Sequence, residues 1–369
     1  MGVKFKPIKF ILALLLILTL VIGGYLTYVF TTYYRIEDKQ VLIPEITCPL
    51  GDLSCKVPGS QVETGKELSV TSWNIGFGAY TDQYSFFMDG GEYSRGFSED
   101  AVCENVTAIA GKLAEMKSDF YLLQEVDLDS TRSYHIDQKE ILTSALTGRT
   151  YTFALNYDSP YLFYPITEPH GKSLAGMLTL SNYDITSSLR RSLPIQDNLA
   201  KLVDLDRCYT VNRMATDNGR ELVLYNFHLS AYTTDPTIAD QQLEMLYEDI
   251  AAEYAAGNYI ICGGDFNKDL LGDSGSIFGV SGEDFSWAQP LREENIPDGF
   301  SLAAPFNPDV PVPSCRNADQ PWNPETNYQI TIDGFIVSDN VQVIRSDVTD
   351  YQFAYSDHNP VQLTFLLEE

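Results

Sequence analysis

The residues best suited to chemistry in this 369-residue chain lie in the stretch YIICGGDFN, Tyr259–Asn267. Its first four residues are a continuous apolar run, which predicts a strand buried on both faces. The two glycines then predict the end of that strand, because they allow backbone conformations that other residues avoid. A carboxylate at Asp265 and an amide at Asn267 could aim an attacking water and bind a phosphoryl oxygen. An ordinary turn is the alternative, since Gly, Asp and Asn all favour turns.

Polar side chains of the same kind lie at or near the ends of five other predicted strands. Open α/β sheets commonly place their ligands at such ends. If these strands lie in neighbouring sheets, their polar side chains meet at one rim. The residues are Asn74, Glu125, His228, Asp333, Asp357 and His358.

The carboxylates in this set predict a hard divalent cation. Mg²⁺ prefers oxygen ligands and keeps several waters, and Glu125, Asp357 and the amide of Asn74 can supply such oxygens. Zinc is disfavoured, because the sequence has no HExxH or CxxC spacing. We therefore expect Mg²⁺, with Mn²⁺ as the alternative.

Strands and amphipathic helices alternate around these positions and predict an α/β fold. Apolar residues at helical spacing predict a helix within 102–116, and Asp235-Pro236 opens a second helix that Gly257 ends. The long Gly- and aromatic-rich segment 76–97 is a candidate lid or substrate loop. His170 with Lys172, and also Arg316, could bind phosphate or simply lie on the surface.

The N-terminal region predicts a membrane anchor. Residues 10–34 contain no charged side chain and can cross a hydrocarbon layer of about 30 Å as a helix. Lys4, Lys6 and Lys9 lie directly before this run, which predicts residues 1–9 in the cytoplasm and the rest of the chain outside. A cleaved signal peptide is the competing interpretation. Residues 35–66 have the composition of an extracytoplasmic linker, in which Cys48 and Cys55 form a disulfide loop or remain free thiols.

The net charge of the chain disfavours polyanionic partners. The chain carries a net charge of −27, with 51 acidic and 24 basic side chains. Adhesion to DNA or to anionic lipid is therefore unfavourable without divalent cations. No pattern in the sequence requires an obligate protein partner.

Six short motifs follow one another along the chain. They are WN (73–74), LLQEVD (122–127), NFHLSAY (226–232), GGDFN (263–267), TIDGFIVS (331–338) and SDHNPV (356–361). In this order they resemble the endonuclease/exonuclease/phosphatase family, whose relatives include deoxyribonuclease I, abasic-site endonucleases and neutral sphingomyelinases. The resemblance implies a four-layer α/β sandwich, with two packed mixed β-sheets flanked by helices, which the predicted N-terminal transmembrane helix precedes. Residues 67–369 would form the catalytic domain.

The resemblance also implies a role for each candidate residue. Glu125 would be the principal Mg²⁺ ligand, helped by Asn74 and Asp357. Asp265 would orient or deprotonate water, and Asn267 would hold a phosphate oxygen. The histidines at 228 and 358 would contact the phosphate, neutralise charge and pass protons, and the aspartate at 333 would orient the second of them.

Each of these residues also has a structural interpretation. Asn74 could satisfy backbone groups at a strand end, and His228 shares its strand face with two leucines. Asp333 could be a turn residue before a glycine, and Asp357 with His358 could be a solvated loop pair. A non-catalytic binding ectodomain with the same fold would have at least one broken site position, and none is broken.

The resulting hypothesis is a membrane-anchored, extracytoplasmic, Mg²⁺-dependent phosphodiesterase that uses in-line attack by water. A nuclease-type substrate is the first choice. Phospholipid head groups, as for a sphingomyelinase or phospholipase C, or small phosphate esters, are the alternative.

Overall fold

Two seven-stranded sheets form the centre of the computed structural model, which describes residues 7–48, 59, 61–231, 237–280 and 289–369. The first sheet has the strand order β1-β7-β8-β9-β10-β14-β11, and the second has the order β15-β16-β3-β4-β6-β5-β2. The strands are β1 (Gln40–Leu42), β2 (Glu45–Ile46), β3 (Leu68–Asn74), β4 (Phe120–Asp127), β5 (Thr150–Asp158), β6 (Leu174–Ser181), β7 (Ser187–Ser192), β8 (Cys208–Ala215), β9 (Glu221–His228), β10 (Tyr259–Asp265), β11 (Phe300–Ala303), β12 (Cys315–Arg316), β13 (Gln329–Ile330), β14 (Asp333–Ser338), β15 (Val341–Val348) and β16 (Val361–Leu367). The helices are α1 (Pro7–Thr32), α2 (Glu99–Met116), α3 (Gln138–Ala145), α4 (Thr237–Ala255) and α5 (Ser274–Phe278).

The two sheets pack face to face through their alternating apolar residues. Leu122 of β4, Leu224 of β9 and Phe335 of β14 belong to one buried cluster between the sheets. The outer face of the second sheet packs on α2 and α3, and the outer face of the first packs on α4. This is the expected four-layer sandwich, and both long helices of the domain lie where the apolar spacing predicts them.

The structure differs from the predicted end of β10. Gly263 and Gly264 do not stop the strand, which continues to Asp265 and pairs with β9 along its whole length and with β14 from Ile261 onward. The glycines are needed for close packing instead. A Cβ on Gly264, whose φ is +155°, would lie 2.1 Å from the carbonyl oxygen of Phe227. Six strands of the two large sheets (β1, β2, β7, β8, β11 and β15) were not predicted from the sequence, nor was the short β12 outside them.

Part of the predicted linker is joined to the domain. β1 pairs with β7 and β2 pairs with β5, so residues 40–46 contribute an edge strand to each sheet. Arg35 forms an ion pair of 3.0 Å with Asp206. Residues 35–46 are therefore held against the domain by strand pairing and an ion pair. The predicted disulfide loop lies outside the described residues, since Cys55 is not among them.

The N-terminal helix α1 is long and apolar enough to cross a membrane. Its candidate span is Ile8–Thr32, and none of its most apolar window is buried. A signal sequence has the same properties at this position, so the helix alone does not separate an anchor from a cleaved leader.

Candidate active site

Three of the candidate residues form one row across the first sheet. Asp265 at the end of β10 lies directly opposite His228 of the parallel strand β9. On its other side it faces Asp333, the first residue of the antiparallel strand β14. The register of the sheet therefore brings together residues that are more than a hundred positions apart in the chain.

The second sheet contributes Asn74 and Glu125 to the same place. β3 and β4 are parallel, and the amide nitrogen of Asn74 lies 3.3 Å from Glu125 Oε1 and 3.2 Å from Asp265 Oδ2. Glu125 is not the last residue of β4. It lies in a bulge, where the pairing with β6 shifts register and its own φ is +54°. Such a bulge re-aims a side chain, and here Glu125 contacts Asn74 across the rim.

His358 is held from one side by Asp333. Its Nδ1 lies 2.8 Å from Asp333 Oδ2, and the hydroxyl of Ser314 donates to the same oxygen at 2.8 Å. Burial by itself lowers the pKa of His358, but the Asp333 carboxylate outweighs it and holds that pKa well above the usual value. The other ring nitrogen, Nε2, is 3.8 Å from Asp265 Oδ2. His358 is therefore a cationic imidazole that faces Asp265.

His228 lies on the other side of Asp265 from His358. Its imidazole is neutral, whereas that of His358 is cationic. The Nε2 of His228 is 3.5 Å from Asp265 Oδ2. Burial, with the positive charge of Arg207 and of His358, holds the pKa of His228 well below its usual value. Its Nδ1 has no hydrogen-bond partner among the described residues. A neutral imidazole and a cationic imidazole thus flank one carboxylate.

Asp265 is buried, and its surroundings move the pKa of its carboxyl group toward neutral pH. Burial and the nearby Asp333 carboxylate raise the pKa of Asp265 to about 7, against the opposing effect of His358. The backbone N–H of Asn267 donates to Asp265 Oδ1 at 2.9 Å and fixes the carboxylate. A carboxylate poised in this range suits a general base.

Asn267 lies beside this carboxylate in a left-handed backbone conformation, with φ of +49°. Its side-chain amide donates one hydrogen bond of 2.8 Å to the carbonyl of Leu229. The second amide hydrogen remains for a ligand, because the group has two donors.

The residues predicted as metal ligands fit a divalent cation in their chemistry. Asp357 is half-buried, and this burial together with the Glu125 carboxylate raises its pKa. Bound Mg²⁺ would offset that repulsion. Asn74 presents its amide nitrogen to the carboxylates, while its oxygen accepts from Gly76 N–H at 3.0 Å. Rotation of the amide by half a turn would present the oxygen instead.

A second group of side chains could also hold a cation. Ligand atoms of Asp265, Asp333 and His358 lie within 4.8 Å of one another. A metal-bound imidazole must be neutral, whereas the bond to Asp333 keeps His358 protonated. This chemistry favours Glu125, Asp357 and Asn74 as the metal ligands and the aspartate–histidine pair as an acid.

Several supporting residues were not predicted from the sequence. Arg132 forms a bidentate pair with Asp127, lies 3.8 Å from Glu125 and stacks on Phe77 at 4.0 Å. It comes from a Ser- and Tyr-rich stretch in which no motif marks it. The hydroxyl of Ser356 donates to the Asn74 carbonyl at 2.8 Å, and its place in SDHNPV was the available signal.

Two residues considered as phosphate ligands are structural instead. Arg316 is buried and donates to the carbonyls of Thr81 and Tyr84, which holds the loop 76–97 in place. His170 is buried among aromatic rings, and its Nδ1 lies 3.0 Å from the Ser94 carbonyl. Neither is the exposed phosphate ligand or the surface residue that the sequence suggested.

Comparisons with known proteins agree with this fold. The model of the Endonuclease/Exonuclease/phosphatase family matches residues 71–358. No curated protein matches the sequence. A family protein from Beutenbergia cavernae DSM 12333 is 16% identical with a TM-score of 0.54, and the match covers 82% of this chain and 72% of that one.

Two further solved structures share the fold. ANGEL2, described as a 2',3'-cyclic phosphatase and solved with adenosine-2',3'-vanadate, is 15% identical with a TM-score of 0.54, over 89% of this chain and 99% of that one. The human Nocturnin catalytic domain is 17% identical with a TM-score of 0.51, over 82% and 93% of the two chains.

Proposed function

This chain belongs to the endonuclease/exonuclease/phosphatase family of metal-dependent phosphoric ester hydrolases, and on that premise we propose that it is a Mg²⁺-dependent phosphodiesterase. It acts from the outer face of a membrane, anchored by α1. Water attacks phosphorus in line, and the ester oxygen leaves protonated. Mn²⁺ is the alternative metal.

The observation that carries the proposal is the position of Asp265 between two imidazoles. Its Oδ2 lies 3.5 Å from Nε2 of His228 and 3.8 Å from Nε2 of His358. His228 is held neutral and His358 cationic, so the carboxylate that accepts a proton stands next to the imidazole that donates one. Such a set of groups suits a reaction that both removes a proton from water and delivers one to a leaving oxygen.

Each residue has one task in this reaction. Asp265 accepts the proton of the attacking water, and Asn267 donates a hydrogen bond to a phosphoryl oxygen. The cationic His358, oriented by Asp333, offsets the negative charge that develops and gives its proton to the leaving oxygen. His228 donates a hydrogen bond to the phosphate from Nε2–H.

The metal site lies next to this group. Glu125, Asp357 and Asn74 would hold the cation. When bound, Mg²⁺ supplies electrostatic stabilisation of the phosphoryl oxygens.

The experiment that tests this function is a substrate panel on the full-length protein in detergent, with Mg²⁺ and with EDTA. Bis-p-nitrophenyl phosphate, single- and double-stranded DNA, RNA and sphingomyelin cover the substrate classes. The proposal predicts hydrolysis of at least one phosphodiester with Mg²⁺ and none with EDTA. Hydrolysis that persists unchanged in EDTA, or activity on none of these substrates with Mg²⁺ or Mn²⁺, would refute it.

Nucleic acid is the first substrate class, because the motifs resemble those of nucleases. A lipid head group is the second, and one observation favours it. The last turns of α1 contact the loop at 161–163 through the hydroxyls of Tyr25 and Tyr28. If α1 crosses a membrane, this contact keeps the domain at the lipid surface.

A further inference from the structure

A chain of aromatic rings connects the active site to the protein surface. Phe77 packs under Arg132, the neighbour of Glu125, and its ring lies 6.2 Å from that of Phe86. Phe86 contacts Phe87 at 4.9 Å, and Phe87 contacts Tyr164 at 5.7 Å. The active site and the surface loop that contains Tyr164 therefore belong to one packed unit. A contact that fixes the position of the loop also fixes the position of the site.

The loop ends in an exposed apolar tip. Phe163, Tyr164 and Ile166 are 56%, 62% and 88% exposed. Met88, which follows Phe87 in the loop that contacts Tyr164, is 68% exposed. We call these four residues the apolar tip. Single exposed apolar residues are normal, whereas a group of four large ones indicates an interaction surface.

The apolar tip is continuous with the C-terminal part of α1. The hydroxyl of Tyr25 donates to the Tyr161 carbonyl at 3.1 Å, and the N–H of Tyr161 donates to the Tyr28 hydroxyl at 3.1 Å. The ring of Tyr25 also meets that of Phe163 edge-on at 5.3 Å. These contacts fix the position of the loop along the axis of α1.

The part of α1 that contacts the loop corresponds to the outer boundary of the hydrocarbon layer. A hydrocarbon layer needs about 20 helical residues, so a span that begins near Phe10 ends near Phe30. Tyr25 and Tyr28 then lie just inside the outer boundary, where tyrosine is enriched in membrane proteins. The loop that contacts them must lie at the same depth.

The charged side chains around the apolar tip do not attract it to a membrane. Glu92 and Glu168 are exposed close to the tip, with Lys172 as an exposed basic neighbour. Attraction to anionic lipid requires clusters of basic residues. Any docking here therefore depends on apolar burial.

We propose that the apolar tip inserts into the outer leaflet beside α1 and holds the mouth of the active site at the level of the lipid head groups. The partner is the phospholipid leaflet itself, bound through its acyl chains and not through head-group charge. The inference rests on the membrane anchoring in the proposed function. It makes no use of the catalytic residues.

Fluorescence quenching in nanodiscs tests this proposal on the full-length protein. Single tryptophans replace Ile166 or Phe163 in the tip, with Leu16→Trp in the middle of α1 as the membrane reference. Val310→Trp is the matched control, because Val310 is 64% exposed on a different loop. The discs contain phosphatidylcholine with or without brominated acyl chains, and the signal of the unsubstituted protein is subtracted.

The proposal predicts that brominated lipid quenches the added tryptophan at 166 and at 163, with a blue-shifted emission, while that at 310 is unaffected. Replacing part of the phosphatidylcholine by phosphatidylglycerol should not increase the quenching. Quenching of Leu16→Trp alone would overturn the docking proposal and leave the anchor intact. No quenching at any position would overturn the anchor as well. Quenching at 166 only with anionic lipid would contradict the apolar mode of docking.

Discussion

Nδ1 of His358 lies 2.8 Å from Oδ2 of Asp333, so a carboxylate from β14 holds an imidazole from the loop before β16. The hydroxyl of Ser314 donates to the same carboxylate oxygen. This pair keeps the histidine protonated and turns its Nε2 toward Asp265. The proposed mechanism needs that orientation, because only Nε2 can reach the leaving oxygen.

Asp333→Asn should therefore reduce turnover more than substrate binding. Loss of the carboxylate removes the charge that keeps His358 cationic, and we expect kcat to fall by about 10²–10⁴-fold with a small change in KM. Asp339→Asn, at an exposed position just after β14, is the matched control. Equal kcat for the Asp333 variant and the control, in steady-state assays with bis-p-nitrophenyl phosphate, would exclude the orienting role.

Glu125→Gln should weaken metal binding. A neutral amide binds Mg²⁺ less strongly than a carboxylate, so the variant should need much more Mg²⁺ for activity and should lose the rise in melting temperature that a bound ligand causes. Glu115→Gln is the control, since Glu115 is exposed on α2. Thermal unfolding at increasing Mg²⁺ measures binding without relying on turnover. An unchanged Mg²⁺-dependent shift would place the cation elsewhere.

Gly264→Ala should destabilise the fold severely. The added methyl group would lie 2.1 Å from the carbonyl oxygen of Phe227 in the neighbouring strand, which we expect to cost at least about 3 kcal/mol. Gly111→Ala is the opposite case. Gly111 lies within α2 and an added Cβ meets nothing within 4 Å, so alanine should stabilise the protein by about 0.5–1 kcal/mol. Denaturant unfolding compares the two, and similar effects would contradict the packing described for β10.

His170 should make stability depend on pH. Burial, with the charge of Arg132, lowers its pKa to about 3. The folded state therefore disfavours the proton that the unfolded chain accepts below pH 6.5. The stability that depends on a neutral His170 is fully present above pH 6.5 and is lost as the pH falls toward 3. At pH 5 the expected loss is about 2 kcal/mol.

His170→Asn removes this titration and keeps a side-chain donor for the Ser94 carbonyl. The free energy of unfolding of the parent, relative to this variant, should fall between pH 7 and pH 5. Parallel pH dependences for the two proteins would show that His170 does not titrate as its burial requires.

Much of the site could be predicted from sequence because its residues lie in short motifs on strands with clear apolar patterns. Asp265 follows four consecutive apolar residues and two glycines, and His228 ends a strand made mostly of apolar residues. Such patterns fix which residues reach the ends of strands. They do not fix register, and the opposition of Asp265 to both His228 and Asp333 is a property of the assembled sheet.

Other features could not be predicted because they depend on contacts between distant segments. β1 and β2 are only three and two residues long and are strands only by pairing with β7 and β5. Arg316 is polar and follows a Pro-rich stretch, which resembles a surface loop in sequence. Its burial results from backbone carbonyls supplied by residues 81 and 84, more than two hundred positions away.

The central claim is that Asp265 and His358 act together on one phosphodiester. The most direct test is the hydrolysis of bis-p-nitrophenyl phosphate with saturating Mg²⁺ by Asp265→Asn, His358→Ala and the double variant. The account predicts that each single change reduces kcat by at least about 10²-fold and that the double variant is little worse than either single, because the two residues work as a unit. Turnover that matches the parent protein in both single variants, with the fold intact by circular dichroism, would contradict it.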